Sequence, residues 1–300
     1  MSSIKNVAIL GAGGALGTPV LKALVDSGKF NITVVSRPAS TSTFASSVKV
    51  IKADYNSADS LASAFQNQDA VVSTVGTEGL LGQSIIIDAA IAAGVKRILP
   101  SEFGSDLSNP KAAALPVFGY KVATRKHLED KIAASADITY TYVINSGFLD
   151  WGLEYNFLLD WRSAEPKLHN GGEFEFSSTT LASVGQAVVG VLSHPEETKN
   201  RSVYVQDIAI SQKKLLDLAR KVAPERKWSP ITTSLDEQEK WANEKLAAGD
   251  YSVMITYLNV VMFQDGYGAR FEKVDNELLG VKGKTEADVE DIFKKLLAVE

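Results

Sequence analysis

The fold is decided by the stretch Val7-Ala8-Ile9-Leu10-Gly11-Ala12-Gly13-Gly14-Ala15-Leu16-Gly17. Its first four residues form an apolar run typical of a buried strand, and the residues after Gly17 have the apolar spacing of a helix. Glycines between a strand and a helix allow a tight turn and let a phosphate approach without a clash with Cβ. The N-terminus of the helix adds free N–H groups and a partial positive charge. The stretch therefore predicts a dinucleotide-binding turn, although a tight turn without a ligand has the same pattern.

Strand-like and helical segments alternate through the first half of the chain. Apolar runs predict strands at 7–10, 32–36, 48–51, 70–75, 97–100 and 138–144, and helices at 15–26, 57–65, 80–93 and 117–134. Gly28 and Gly94 follow two of these helices, where a C-terminal cap is expected. Apolar strands that alternate with helices favour an α/β fold with a doubly wound parallel sheet.

The pattern changes after Gly147, where aromatic residues become dense. The later sequence predicts helices at 184–193, 211–222, 236–247 and 285–298, and strands at 173–176 and 202–209. We therefore divide the chain into a dinucleotide-binding domain, residues 1–150, and a smaller α/β substrate-binding region, residues 151–300. Some segments of the second region are expected to return to the main sheet.

Composition excludes several classes of function. The 300 residues are 45% apolar, carry a net charge of −5 and include no cysteine. Disulfides, thiolate metal sites and a cysteine nucleophile are therefore ruled out, and the three histidines lack metal-ligand spacing. The sequence has no long basic run and no apolar stretch of about 18 residues, so we expect neither a nucleic-acid partner nor a membrane span. The expectation is a cytoplasmic monomer or homodimer with a small-molecule substrate.

The end of the second predicted strand indicates which dinucleotide is bound. An NAD-selective site usually places Asp or Glu about 20 residues after the turn, to hold the ribose 2′-hydroxyl. Here Ser36-Arg37 stands at that position, and a guanidinium suits a 2′-phosphate in charge and geometry. Arg37 therefore favours NADPH over NADH, the alternative being a solvated surface arginine. Asp54 and Gly76 complete the predicted nucleotide contacts. Asp54 is predicted to face the adenine amino group, and the alternative for it is a role in a turn.

The glycines at 11, 14 and 17 have a spacing that resembles the short-chain dehydrogenase/reductase superfamily, which has a Rossmann fold. By that resemblance the turn that holds the cofactor comprises Gly11, Gly13, Gly14, Ala15, Leu16 and Gly17. The superfamily's usual proton donor lies in a Tyr-x-x-x-Lys motif. In this chain no tyrosine is followed by lysine four residues later, so another group must handle the proton.

A more specific resemblance comes from two later segments. Gly94-Val95-Lys96-Arg97-Ile98-Leu99-Pro100-Ser101-Glu102-Phe103-Gly104 and the helix pattern Lys121-x-x-x-Arg125-Lys126-x-Leu128-Glu129 are similar to the isoflavone reductase-like proteins of the NmrA-like family. That group includes phenylcoumaran benzylic ether and pinoresinol–lariciresinol reductases. The resemblance covers residues 4–150 well and the remainder loosely.

The resemblance implies an NADPH-dependent reductase of a small, aromatic secondary metabolite, with Lys121 as general acid or base. Without it, Lys121 would be interpreted as a solvated helix lysine. Phe103, Lys121 and Phe148 are assigned to the cofactor, with Phe148 against the nicotinamide. The chain departs from the family in two places: residues 38–47 contain no lysine or arginine, and Ser146 stands where the family tends to have asparagine.

The substrate side is less sharply defined by the sequence. Trp151 and Tyr155 are spaced i, i+4 and are predicted to share a helix face that lines a pocket, with His169 nearby. Core packing is the alternative for these aromatic residues. The bond that is reduced, whether ether, enone, imine, quinone or carbonyl, stays open. A non-enzymatic NADP-binding sensor of the NmrA-like type is the alternative function.

Overall fold

A computed structural model describes residues 3–298 of the chain. The strands are β1 (Asn6–Leu10), β2 (Asn31–Ser36), β3 (Lys49–Lys52), β4 (Ala70–Ser73), β5 (Arg97–Leu99), β6 (Thr139–Ile144), β7 (Gly147–Phe148), β8 (Lys167–His169), β9 (Glu175–Thr179), β10 (Arg201–Tyr204), β11 (Ile208–Ser211) and β12 (Ile231–Thr233). The α-helices are α1 (Gly17–Asp26), α2 (Ala58–Ala64), α3 (Thr77–Leu80), α4 (Gln83–Ala92), α5 (Pro110–Ala113), α6 (Gly119–Ala133), α7 (Leu149–Glu154), α8 (Leu181–Ser193), α9 (Gln212–Val222), α10 (Leu235–Ala247), α11 (Met254–Phe263), α12 (Asn276–Leu279) and α13 (Glu286–Leu297).

The central sheet has seven parallel strands in the order β10-β6-β5-β4-β1-β2-β3. This confirms the predicted doubly wound α/β fold. The strand order reverses at β1, which pairs with β2 on one side and with β4 on the other. The chain therefore leaves β1 and β4 in opposite directions, and a crevice opens beyond the carboxyl ends of these strands, where open α/β sheets bind ligands.

Both faces of the sheet are covered at its inner strands, which explains why β1 and β4 are almost wholly apolar. In β1, Val7 and Ile9 pack into a cluster that includes residues of α1 and α8. Ala8 and Leu10 point the other way, into a cluster with residues of α2 and α4. Alternate side chains of a strand point to opposite faces, so a strand buried on both sides has no polar alternation.

The predicted strand at 202–209 is wrong, because it is two strands in different sheets. β10 joins the central sheet beside β6, whereas β11 pairs antiparallel with β9 in a three-stranded sheet completed by β7. Between them the buried carboxylate of Asp207 accepts hydrogen bonds from the backbone N–H and hydroxyl of Thr180 and from the Ser183 hydroxyl. These bonds anchor the chain where it passes from one sheet to the next.

Smaller differences concern the ends of elements. The predicted helix 80–93 is divided into α3 and α4, and the predicted strand 173–176 is displaced to β9. Gly28 and Gly94 have φ of +62° and +76° just after α1 and α4, which confirms them as left-handed helix ends. No helix within residues 3–298 is long and apolar enough to cross a membrane.

Residues after 150 contribute to the sheet and also build a core of their own. β10 completes one edge of the sheet and α8 packs on α1. Helices α9, α10, α11 and α13 pack around a third apolar cluster, which contains Trp161, Tyr257 and Phe293. Helix α11, which the sequence pattern did not predict, packs against the short 3₁₀ turn at 116–118 that precedes α6. The two-region division at residue 150 stays a prediction.

Candidate functional site

The glycine turn after β1 is dictated by close backbone packing. Gly11 has φ of +75°, and a Cβ there would lie 2.5 Å from the Thr74 carbonyl oxygen at the end of β4. A Cβ on Gly17 would lie 2.0 Å from the Gly11 carbonyl oxygen. The turn is closed by the Gly14 N–H, which donates to the Gly11 carbonyl at 2.9 Å. Only glycine fits positions 11 and 17, so α1 starts directly against the end of β1.

A cavity of about 760 Å³ lies beside this turn, at the point where the strand order reverses. Six of the residues predicted to contact the cofactor line it: Gly11, Gly13, Gly14, Ser36, Arg37 and Gly76. Ala15, Leu16 and Gly17 continue the turn into the start of α1. Ala12, Thr74, Val75 and Leu81 also line the cavity and were not predicted. Thr74 was detectable in principle, since it directly follows the buried strand β4.

Tyr55 and Asn56, rather than Asp54, line the cavity. The carboxylate of Asp54 is exposed and accepts a hydrogen bond from the Asn56 N–H at 3.0 Å, which makes it part of a turn. The Tyr55 hydroxyl donates to the Val35 carbonyl at 2.6 Å. Burial raises the pKa of Tyr55 to about 12, although a hydrogen bond from the backbone N–H of Gly11 and the charge of Arg37 oppose this. Tyr55 is therefore a neutral wall of the cavity.

Lys121 lies in the first turn of α6 with its Nζ donating to the main-chain carbonyl of Glu102. Burial lowers the pKa of Lys121, and the charge of Arg125 acts in the same direction, while Glu102 opposes both. A lysine with this environment releases its proton more readily than a solvated one. It is therefore better suited than a solvated lysine to exchange a proton, as the prediction for this residue requires.

The carboxylate of Glu102 is committed to Arg125, one helical turn after Lys121. Its Oε2 accepts from Arg125 Nε at 2.8 Å and lies 2.6 Å from a terminal guanidinium nitrogen. Arg125 in turn lies over the ring of Tyr142, 4.5 Å from its centroid. Because Arg125 neutralises this buried acid, Lys121 contacts the carbonyl of Glu102 and not its carboxylate.

Several buried polar atoms near the carboxyl ends of β4, β5 and β6 have no hydrogen-bond partner among residues 3–298. They are Ser73 Oγ, Gln83 Nε2, Glu102 Oε1 and Asn145 Oδ1. Buried polar atoms normally have a partner, and both donors and acceptors are left over here.

Phe103, Phe148 and Ser146 pack inside the protein. Phe103 is buried in the cluster that also contains Ile9 and Val143, and Phe148 packs partly buried against the same cluster. The hydroxyl of Ser146 donates to the Ala269 carbonyl at 3.1 Å. Ser146 is thus occupied by the C-terminal region, and its neighbour Asn145 retains an amide oxygen without a partner.

A second cavity, of about 860 Å³, brings together the three residues predicted to contact substrate. The rings of Trp151 and Tyr155 stack with centroids 4.8 Å apart, so the two residues do share a face of α7. Trp241 of α10 and Ile255 of α11 extend the apolar wall. Trp161, another aromatic residue after Gly147, belongs to the core instead of the cavity. It is 1% exposed and packs edge-on against Phe293.

His169 lies in the wall of this second cavity as a neutral imidazole. Its ring stacks on Phe263 with centroids 5.0 Å apart, and burial lowers its pKa to about 4. The Gln238 side-chain N–H and the Thr233 hydroxyl lie 3.4 Å and 3.1 Å from its Nδ1. Since an amide N–H can only donate, Nδ1 accepts and Nε2 carries the proton. His169, one of the residues that line the cavity, thus carries an N–H donor on Nε2.

The switch-point cavity, the glycine turn and the doubly wound sheet together define a dinucleotide-binding protein of the Rossmann type. Within that class, the chain belongs to the NmrA-like family, whose model matches residues 3–228. The predicted membership is therefore confirmed.

Similar proteins extend over nearly the whole chain. The chain is 32% identical over 289 residues to the oxidoreductase poxI of Penicillium oxalicum, covering 93% of this chain and 90% of that protein. It is 32% identical over 298 residues to the oxidoreductase aprR of Aspergillus flavus, covering 97% and 98%. Among solved structures, the leucoanthocyanidin reductase–NADPH complex of Vitis vinifera superposes with a TM-score of 0.77 at 21% identity, covering 98% and 99%. That likeness concerns the fold.

Proposed function

We propose that this protein is an NADPH-dependent reductase of a small aromatic metabolite. The observation that carries the proposal is Lys121, a partly buried lysine with a lowered pKa that donates to the Glu102 carbonyl, in a protein with a dinucleotide-type cavity at the switch point of its sheet. The proposal is supported by the two oxidoreductases that match over nearly their whole length, and by the NADPH that the similar Vitis vinifera structure binds. Cytoplasmic location and a monomeric or homodimeric state stay predictions.

The described residues fit NADPH along the length of the cavity. The start of the glycine turn, Gly11 to Gly14, lines the cavity where the pyrophosphate would lie, and Arg37 would hold the 2′-phosphate. Tyr55, Asn56 and Gly76 would contact the adenosine part. Phe103 and Phe148 stay predicted cofactor contacts. Both pack in the apolar cluster that contains Ile9 and Val143.

When bound, NADPH supplies a hydride to an electrophilic atom of the substrate. Lys121 then donates a proton to the substrate atom that gains the electron pair, and it recovers a proton from solvent. Its position is fixed by the Glu102 carbonyl, and its readiness to release the proton comes from burial and from the charge of Arg125. Arg125 also prevents Glu102 from pairing with the ammonium.

The second cavity is the proposed substrate-binding region. The stacked Trp151–Tyr155 pair offers a flat apolar wall, and His169 offers an N–H donor. An aromatic compound that carries an oxygen acceptor matches both features.

The proposal is tested by NADPH consumption with a panel of aromatic carbonyl, enone, imine, quinone and benzylic ether compounds. Lys121→Met is expected to bind NADPH as the parent does but to lose about 100-fold or more in turnover, the usual contribution of a general acid. Lys126→Met on the same helix removes an exposed lysine paired with Asp130 and should leave turnover unchanged.

Turnover of the Lys121→Met variant at the parental rate would contradict the catalytic assignment. Equal affinity for NADP⁺ and NADPH, no turnover of any compound and a protein partner would instead favour the sensor. The partly buried Lys121 with its lowered pKa and the aromatic cavity favour the reductase, because neither is needed to sense a nucleotide.

A further inference from the structure

A second lysine lies beside the position of Arg37, on the edge strand of the sheet. β2 and β3 are parallel, and their register pairs Ser36 with Lys52. Residues paired in register project to the same face, which brings the Lys52 side chain alongside that of Ser36. Its Nζ lies 3.5 Å from Ser36 Oγ, 3.3 Å from the Arg37 carbonyl oxygen and 2.9 Å from the Ser40 carbonyl oxygen.

The three residues that Lys52 contacts all line the 760 Å³ cavity. Lys52 therefore links β3 to the loop after β2 by hydrogen bonds, at the place where that loop borders the cavity. Farther along the same loop, a Cβ on Gly13 would lie 2.4 Å from Ser42 Oγ. The loop thus reaches from the ammonium group of Lys52 to the glycine turn, and it covers the cavity between the two.

The charges at this end of the cavity are not balanced. Within residues 3–298, neither Arg37 nor Lys52 forms an ion pair with a carboxylate, whereas Lys22, Lys96 and Lys126 each pair with an aspartate. The nearest acid in sequence, Asp54, uses its carboxylate in a turn with Asn56. An anion bound at this end of the cavity would therefore be attracted by two cations that have no carboxylate partner within residues 3–298.

We propose that Lys52 is the second cation of the subsite that binds the cofactor's 2′-phosphate, together with Arg37. The inference rests on the proposed NADPH dependence and adds a residue from β3 to it. It also accounts for residues 38–47, which contain neither lysine nor arginine, since the second positive charge comes from the strand instead of the loop. Lys52 can exchange its longest contact, with Ser36 Oγ, for a phosphate oxygen and still hold the Ser40 carbonyl.

The test is the binding of NADP⁺ and NAD⁺, measured by isothermal titration calorimetry on the full chain. Lys52→Met keeps the length of the side chain and removes its charge. We expect affinity for NADP⁺ to fall about tenfold or more, the usual result of losing a charge-assisted contact, while affinity for NAD⁺ is unchanged. Lys52→Arg should retain most of the preference for NADP⁺.

Lys49→Met is the matched control, because Lys49 is an exposed lysine on the same strand. It should change neither affinity. Unchanged NADP⁺ affinity in Lys52→Met, or an equal loss for both nucleotides, would overturn the proposal, since an equal loss would reduce Lys52 to a clamp on the loop. If the parent protein itself does not prefer NADP⁺ to NAD⁺, the proposed NADPH dependence fails together with the role of Lys52. If the parent prefers NADP⁺ and Lys52→Met keeps that preference, only the role of Lys52 fails.

Discussion

At the scale of single residues, His169 links the second cavity to a measurable dependence on pH. Burial holds its pKa at about 4 in the folded protein, against about 6.5 in an unfolded chain. Between these values the unfolded chain binds the extra proton, so the free energy of unfolding falls as pH decreases from about 6.5 to about 4. Above about 6.5 the effect is absent, because His169 is neutral in both states.

Between pH 7 and pH 4.5, we therefore expect the free energy of unfolding to fall by about 2 kcal/mol more in the parent protein than in His169→Gln. Urea denaturation at the two pH values measures this difference. His194→Gln replaces a half-exposed histidine and should lose as much as the parent does. Identical pH dependence of the parent and His169→Gln would show that His169 is not held neutral by its surroundings.

The residues of the candidate site differ in how far the sequence could predict them. Gly11 and Arg37 follow from local patterns, a strand end and a fixed distance along the chain. Lys121 was found only through its resemblance to a family helix, because helical spacing does not distinguish a buried lysine from a solvated one. Lys52 was missed, since its contact with Ser36 depends on the register between β2 and β3, which no local pattern records.

At the scale of elements, the contact between β1 and α1 depends on Gly17. A methyl group there would lie 2.0 Å from the Gly11 carbonyl oxygen. Gly17→Ala must therefore move α1 away from the strand, and it should lower the free energy of unfolding by about 2 kcal/mol and abolish NADPH binding.

Gly119→Ala is the control for this substitution, because a Cβ on Gly119 at the start of α6 would meet nothing within 4 Å. It should stabilise the protein by about 0.5 kcal/mol or more, as alanine does in a helix. Both effects are read from urea denaturation, with NADPH binding by fluorescence. A stable Gly17→Ala variant that binds NADPH normally would contradict the packing argument.

The sequence predicted the elements of the first half because both faces of the sheet are covered there. Apolar strands that alternate with helical patterns leave little ambiguity about which segments are strands and which are helices. The run at 202–209 failed for a physical reason: apolar character shows that a strand is buried, but not in which sheet. The division into β10 and β11 depends on Asp207, whose partners Thr180 and Ser183 lie far away in sequence.

At the scale of the whole molecule, the two halves of the chain share one sheet. β10 pairs with β6, and α8 packs so closely on α1 that a Cβ on Gly185 would lie 2.8 Å from the Pro19 carbonyl oxygen. A fragment of residues 1–150 would expose the edge of β6 and one face of α1 to water. We expect it to lack a cooperative thermal transition and to bind a hydrophobic dye, whereas the full chain unfolds cooperatively. A cooperatively folded fragment would show that residues 1–150 form an independent domain.

The whole account depends on hydride transfer at the edge of the sheet that bears Lys121. The most direct measurement uses NADPH with deuterium at C4 of the nicotinamide and follows the label by mass spectrometry and NMR during turnover of a compound from the panel. The account predicts that deuterium appears on a carbon of the product with the parent protein and with Lys126→Met, and that Lys121→Met transfers it about 100-fold more slowly or worse. NADPH that binds in the cavity but never transfers its label to any compound would contradict the reductase.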